Sequence, residues 1–254
     1  MRYLIIICLL LTTNFLVAQS NEGIIMYKET VQLEIELPEG QEHLKDLIPS
    51  STSQDKALYF IPGKSLYKDF DPSDDEQEIS HKSDNGNEQI QIKIASGSAD
   101  NRLYKDFSSG EMVDQRDFLG KKFLIDGTLK EMKWKISGEQ KKILDYTCQK
   151  AFLKDSEKEV IAWFATQIPI SNGPDVYGQL PGLILAMEFP EDKRTTEATS
   201  IAFTKVEAGI IEQPKKGKKV TREEFQKIRE EKMKEMGSGN GRTVIRMEMD
   251  RRGN

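Results

Sequence analysis

The stretch "IIMYKETVQLEIEL" (residues 24–37) alternates apolar and polar side chains almost throughout. A period of two is typical of a β-strand that buries one face. The run is longer than the usual strand of about five or six residues, so we expect it to belong to a strongly curved sheet. The apolar positions that share one parity are Ile25, Tyr27, Val31, Leu33, Ile35 and Leu37.

Further strand patterns follow along the chain, and turn residues separate them about every 8 to 15 residues. Pro62 and Gly63 predict a hairpin turn between two of them, and no long amphipathic helix interrupts the series. The sequence therefore predicts a mainly β protein with a single curved antiparallel sheet, an open half-barrel-like meander. Clear examples are "QIQIKI" (89–94), "EMKWKI" (131–136), "YTCQKAFL" (146–153) and "GLILAMEF" (182–189).

The pentapeptide "LYKDF" occurs twice, at residues 66–70 and 103–107. Two copies of one strand sequence are consistent with two equivalent hairpin strands. A chance match is the alternative, because the chain is rich in Lys and Asp.

The C-terminal residues differ from the strand-rich part of the chain in predicted secondary structure and in net charge. Thr221 and Glu224 have the spacing of a capping box, which predicts a C-terminal helix beginning there. Beyond the helix, "TVIRMEMD" (243–250) alternates again and predicts a final edge strand, with a disordered basic tail as the alternative. Residues 214–254 hold 13 Lys and Arg against 7 Asp and Glu, a net charge of +6 in a chain of −5.

The first residues, "MRYLIIICLLLTTNFLVAQSNEG", join one basic residue to a short apolar core and then to small residues. This order predicts a secretory signal peptide over residues 1–19, with an uncleaved anchor as the alternative. We expect an antiparallel β domain over residues 20–213 and a basic helix with a strand or tail over 214–254. The predicted location is the periplasm or the periphery of the outer membrane.

Residues suited to catalysis are scarce. The two histidines, His43 and His81, lie in predicted polar loops, and Cys148 lies in mid-strand as a buried thiol. No zinc-ligand spacing occurs, and the acidic loop near residues 71–88 does not satisfy the calcium-loop pattern. We expect no metal, no cofactor and no nucleic-acid partner.

Residues 134–188 contain a characteristic series of motifs: a Trp134 strand, "YTCQKA", "AWFATQIPISNGP" and "LPGLIL". In this order they resemble the GLPGLI family, a group of exported Bacteroidetes proteins without an established activity. The chain departs from the family hexapeptide at Gln179, where the family has its first glycine. The resemblance implies export and an envelope role, and it transfers no catalytic residue.

The prolines and glycines of "IPISNGPDVYGQLPGLILAMEF" (168–189) predict a shaped connection between two core strands. We expect Gly178 to allow a second tight conformation or a positive φ, and Gly182 to admit a close neighbour. Gln179 is expected to be an ordinary exposed residue in an extended or helical conformation, because a left-handed conformation would cost it about 1 kcal/mol or more.

The function predicted from these features is an exported, envelope-associated binding or accessory protein without catalytic activity. It would hold an apolar small molecule or an outer-membrane or envelope protein on the curved sheet. One alternative is an enzyme that uses scattered carboxylates or Cys148, and another is an interaction module acting through the basic C-terminal arm. The candidate binding residues are Trp134, Trp163, Tyr177, Leu180, Pro181 and Gly182.

Overall fold

The computed structural model describes residues 21–33, 49–70, 77–82, 89–94, 100–207 and 209–237, with backbone alone for 77–82 and 89–94. The predicted signal peptide and the predicted strand at 243–250 lie outside the described residues, as does His43. The strands are β1 Gly23–Gln32, β2 Ser51–Ile61, β3 Lys64–Asp69, β4 Gln77–Lys82, β5 Gln89–Ile94, β6 Arg102–Asp106, β7 Glu111–Phe118, β8 Lys121–Thr128, β9 Trp134–Ile143, β10 Tyr146–Leu153, β11 Ile161–Ala165, β12 Leu183–Phe189, β13 Arg194–Ala202 and β14 Lys218–Val220. One helix, α1, covers Arg222–Gly237.

Twelve of the strands form one sheet in the order β14-β8-β7-β6-β3-β2-β1-β13-β12-β11-β10-β9. Every pairing in it is antiparallel except that of β14 with β8, and β4 and β5 form a separate two-stranded hairpin between β3 and β6. The sheet therefore consists of two antiparallel meanders, β1 to β8 and β9 to β13, joined where β1 pairs with β13. This confirms the predicted fold class and the hairpin turn at Pro62 and Gly63.

The sheet is strongly curled, and the connection from β8 to β9 requires it. β8 lies near one edge of the sheet and β9 forms the other edge, ten strand spacings away. A flat sheet would separate them by about 48 Å. The chain from Thr128 to Trp134 reaches at most about 21 Å. The sheet remains open because no pairing between β8 and β9 joins its two ends within the described residues.

The two "LYKDF" copies lie in neighbouring strands, because β3 pairs with β6. Tyr67 is opposite Leu103 rather than opposite Tyr104, so equivalent residues of the two copies do not pair. The side chains of equivalent residues therefore point to opposite faces of the sheet. Lys68 is consequently half-buried at the surface, whereas the equivalent Lys105 is 1% exposed. The copies are strands, but they are not equivalent in their surroundings.

Helix α1 begins with the predicted capping box. Thr221 N donates to Glu224 Oε2 at 2.8 Å, and Glu224 N donates to Thr221 Oγ1 at 3.1 Å. The first turns pack against the sheet through Phe225, whose ring lies 5.3 Å from that of Phe123 and 6.2 Å from that of Phe118. No helix among the described residues has the length and apolar character needed to cross a membrane.

Candidate functional site

Residues 166–182 join β11 to β12, and this β11–β12 connection packs on one face of the sheet. Lys105 of β6 and Trp134 of β9 both contact it, although eight strand spacings separate these strands along the sheet. A segment that touches both must lie inside the curl. We call the face that it covers the inner face.

Lys105 holds the connection from within. Its Nζ donates to Asn172 Oδ1 and Asp175 O, each at 2.8 Å, and to Gly173 O at 3.3 Å. The ammonium group thus binds oxygens that a buried loop would otherwise leave without a donor. The sequence did not indicate this role, because a lysine in an alternating strand is usually a solvated residue.

The prediction for Gln179 was wrong in its backbone conformation. Gln179 is exposed but has a φ of 65°, in the left-handed region that glycine favours. Its side-chain amide offsets this cost with two hydrogen bonds: Nε2 donates to Lys130 O at 2.8 Å, and Oε1 accepts from Met132 N at 2.9 Å. Gln179 therefore fastens the connection to the segment that crosses from β8 to β9.

The two neighbouring glycines differ from each other. Gly178 does not have a positive φ; it forms a bridge with Asn172, and a Cβ on it would lie 3.3 Å from Ser171 O. The expectation for Gly182 is confirmed: a Cβ at this position would lie 2.3 Å from Ala165 O. Gly182 is needed because the strand before the connection passes directly against it.

Three of the six candidate binding residues, Trp134, Tyr177 and Leu180, lie together near the β9 edge on the inner side. The Trp134 ring lies 6.5 Å from that of Tyr177, and Trp134 Nε1 donates to Gly178 O at 2.9 Å. Leu180 is buried in the same hydrophobic cluster, whereas Gly182 lies against Ala165 at the end of β11. Pro181 is exposed.

These contacts leave an apolar surface at the edge of the sheet. We define the edge patch as Trp134, Ile136, Leu153 and Tyr177. Trp134, Leu153 and Tyr177 are half-buried, and Ile136 is 48% exposed. Ile136 is opposite Ala151 and Trp134 is opposite Leu153, so both β9 residues point to the same face.

Trp163 does not join the edge patch. It lies on the opposite, outer face, where its Nε1 donates to Glu188 Oε1 at 2.7 Å. Lys141 Nζ is 4.5 Å from the centroid of its ring and Lys150 Nζ is 5.6 Å away. These cations cover an indole that is only 7% exposed, so Trp163 acts mainly as a core residue with a polar rim.

β9 is an edge strand of ten residues, and within the described chain its one neighbour in the sheet is β10. A bulge near residues 137–139 interrupts this pairing. A Cβ placed on Gly138 would meet no atom within 4 Å, so the middle of the strand is open. An edge strand of this kind presents backbone donors and acceptors that can pair with another strand.

Buried charges occur elsewhere on the inner face. Lys56 Nζ bonds Asp69 Oδ1, and the Arg194 guanidinium bonds Glu29 at 3.2 Å. A small cleft beside Asp69 is lined by several charged and polar side chains. The described residues contain no group of three metal-ligating side chains. The lining includes Asp69, Asn101, Arg102, Asp114, Arg116 and Asp175.

These acids lie close to basic side chains. Asp114 is 3.1 Å from Arg116 Nε and 4.0 Å from Arg222 of α1. Asp69 also accepts from the side-chain amide of Asn101 at 3.2 Å. Such mutual pairing is typical of a structural ion-pair network.

Cys148 is fully buried, and burial raises the pKa of its thiol to about 11. The thiol is therefore protonated at neutral pH, and a protonated thiol is a poor nucleophile. This agrees with the sequence prediction of a structural cysteine.

The model of a family described as "Protein of unknown function (Porph_ging)" matches residues 153–186, which run from the end of β10 into β12. The chain is thus similar to that family over the segment that builds the β11–β12 connection. No curated protein matches the sequence significantly.

Two solved structures are similar in fold. They are those of PNGF-II in the P21 and C2 space groups, with TM-scores of 0.51 and 0.50 and sequence identities of 13% and 14%. Each similarity covers 82% of this chain but only 33% and 32% of the PNGF-II chain, so this protein spans about a third of the length of those structures. At this identity the likeness concerns the fold alone.

Proposed function

We propose that this protein is an exported, envelope-associated binding or accessory protein of the GLPGLI type, and that it acts without catalysis by receiving an extended stretch of a partner protein along β9. The observation that carries the proposal is the edge strand itself. β9 has ten residues and one described neighbour, and the edge patch lies beside it. Strand addition of this kind combines backbone hydrogen bonds with pockets for alternate side chains.

The inner face favours a protein partner over an apolar small molecule. The β11–β12 connection occupies the middle of this face, where Leu180 and Ile168 are each 1% exposed. Apolar surface that a partner can still reach lies at the rim, at Ile136 and Trp134. A rim of this kind suits a chain lying along the edge.

The described residues favour binding over chemistry. Cys148 is buried and protonated, and Asp69 and Asp114 lie within ion-pair distance of basic side chains. Catalytic acids usually have perturbed pKa values in an accessible cleft, with room for a reacting group. The two carboxylates are instead 8% and 1% exposed.

The family assignment and the location rest on the sequence. The "LPGLIL" motif supports a GLPGLI-type protein, and it lies within the segment 153–186 that matches the Porph_ging family of unknown function. The basic residue, apolar core and small residues at the N-terminus support export, because a secretory signal has this order. The expected partner is a protein of the outer membrane or the envelope.

Site-specific photo-crosslinking in the producing cells tests the proposal. One variant has a photoreactive amino acid at position 136 in the edge patch, and the control has it at position 107 in the β6–β7 turn. Ile136 and Phe107 are similarly exposed, at 48% and 41%. We expect a discrete envelope-protein adduct from position 136 and none from position 107. Equal adducts from both positions, or none from 136, would rule out β9 as the binding edge.

A further inference from the structure

The two faces of β9 differ in chemistry. Trp134 and Ile136 present apolar surface on the inner side. Lys135 is opposite Phe152 and Lys141 is opposite Cys148, so both lysines lie on the outer side together with Lys150. An incoming strand would therefore meet an apolar face and a cationic face at alternate positions.

The charge near the edge differs from that of the whole protein. Residues 130–143 contain five lysines and two glutamates, a net charge of +3, whereas the whole chain has a net charge of −5. Three of these lysines lie within 4.0 Å of acids outside this segment: Lys133 of Asp155, Lys141 of Glu188 and Lys142 of Asp145. Lys135 has its exposed side chain directly on the edge strand. The exposed ammonium group of Lys135 thus favours an acidic side chain on a strand that pairs beside it.

The same charge argues against a second copy of this chain as the occupant. Two β9 strands pairing antiparallel around this position would bring two exposed Lys135 side chains close together. Like charges opposite each other destabilise a strand pair. A partner with acidic residues would avoid this repulsion.

We propose that β9 receives an acidic extended peptide segment in which apolar and acidic residues alternate; this inference rests on the proposed strand addition at β9. Its apolar side chains lie over Trp134 and Ile136, and its carboxylates lie beside Lys135. Because the bulge at residues 137–139 interrupts the edge, the paired segment is short and centres on Lys135.

Fluorescence anisotropy with three labelled peptides tests this chemistry on the full mature chain. The peptides are an alternating Ile/Glu decamer, an alternating Ile/Lys decamer and a decamer with the Ile/Glu composition but with its isoleucines and glutamates in separate blocks. We expect the alternating Ile/Glu peptide to bind at least about tenfold more tightly than either of the others, and more weakly as salt rises.

Charge reversal locates the binding. A Lys135→Glu variant should lose at least about tenfold in affinity for the Ile/Glu peptide and gain affinity for the Ile/Lys peptide. The matched control, Lys216→Glu, changes an exposed lysine just before β14 at the other edge and should bind as the unmodified protein does. Equal loss in both variants would overturn the inference, as would equal binding of the alternating and block peptides.

The two proposals can fail separately. If position 136 crosslinks an envelope protein in cells but none of the peptides binds, strand addition at β9 stands and the acidic alternating pattern is wrong. If the adduct at position 136 is a second copy of this chain, the acidic partner is likewise wrong. If neither crosslinking nor peptide binding occurs, both proposals fall.

Discussion

Lys105 Nζ lies 2.8 Å from Asn172 Oδ1, in the interior of the protein, although 67 positions separate the two residues in the chain. This bond joins β6 to the β11–β12 connection and thus links the two meanders across the inner face. Removing the ammonium group would leave three buried oxygens, Asn172 Oδ1, Gly173 O and Asp175 O, without this donor. Each unsatisfied buried polar group typically costs about 1–3 kcal/mol.

We therefore expect Lys105→Met to lower the free energy of unfolding by about 3–5 kcal/mol, measured by urea denaturation of the mature chain. Asn172→Ala, which removes one acceptor, should cost about 1–2 kcal/mol. Lys121→Met, at an exposed position of β8, should change stability by less than about 0.5 kcal/mol. Similar losses in Lys105→Met and Lys121→Met would show that the buried ammonium does not hold the connection.

Gln179 allows a test of backbone strain against side-chain bonding. Gln179→Ala keeps the unfavourable φ and loses both amide hydrogen bonds, so we expect a loss of about 2 kcal/mol. Gln179→Gly loses the same bonds but removes the left-handed strain of about 1 kcal/mol. The glycine variant should thus be the more stable of the two in chemical denaturation. The opposite order would mean that the left-handed conformation does not limit this position.

Gly182 and Gly138 form a matched pair of glycines in a close and an open environment. In Gly182→Ala the new methyl group would lie 2.3 Å from Ala165 O, so backbone must move and we expect a loss of about 3 kcal/mol or more. In Gly138→Ala it meets nothing within 4 Å, so the change should stay within about 0.5 kcal/mol. Thermal unfolding of both variants would measure the difference, and equal effects would contradict the close approach at Gly182.

The buried thiol of Cys148 predicts a specific pH dependence. Burial raises its pKa from 9.0 to about 11, so the unfolded chain ionises first as the pH rises. The stabilising contribution is complete below pH 9 and is lost as the pH rises from 9 to about 11, with a total loss on the order of 3 kcal/mol. Urea denaturation from pH 8 to 11 should show a steeper decline for the unmodified protein than for Cys148→Ala. Parallel declines would mean that the thiol is not desolvated.

Much of the fold followed from local sequence patterns. Alternation marked the strands, Pro62 and Gly63 marked a hairpin turn, and Thr221 with Glu224 marked the start of α1. These features depend on neighbours close in sequence, so one sequence is enough to recognise them. The pairing of β1 with β13 could not be foreseen in this way, because alternation identifies a strand but not its partner.

The candidate site was predictable only in part. Trp134, Tyr177 and Leu180 were chosen from the motif-bearing region, and the structure brings them together because the β11–β12 connection folds back onto β9. Trp163 belongs to the same motif-bearing region but lies on the opposite face of the sheet from Trp134. Successive residues of a strand point to opposite faces, and Trp163 is opposite Lys150 rather than Ala151. The burial of Lys105 could not be predicted from its neighbours in the sequence. A lysine is buried when it finds acceptors, and those of Lys105 come from a segment about 67 positions away.

The pairing of β1 with β13 also has a kinetic consequence. The ion pair of Glu29 with Arg194 spans 165 positions, and the strands that hold these residues are adjacent in the middle of the sheet. Contacts between residues this far apart in the sequence form slowly, because a long loop must close before they contribute to stability. Until the last strands arrive, one edge of β1 is open to wrong partners. We therefore expect refolding to be slow and sensitive to protein concentration, and a cell would benefit from protecting this chain while it is incomplete.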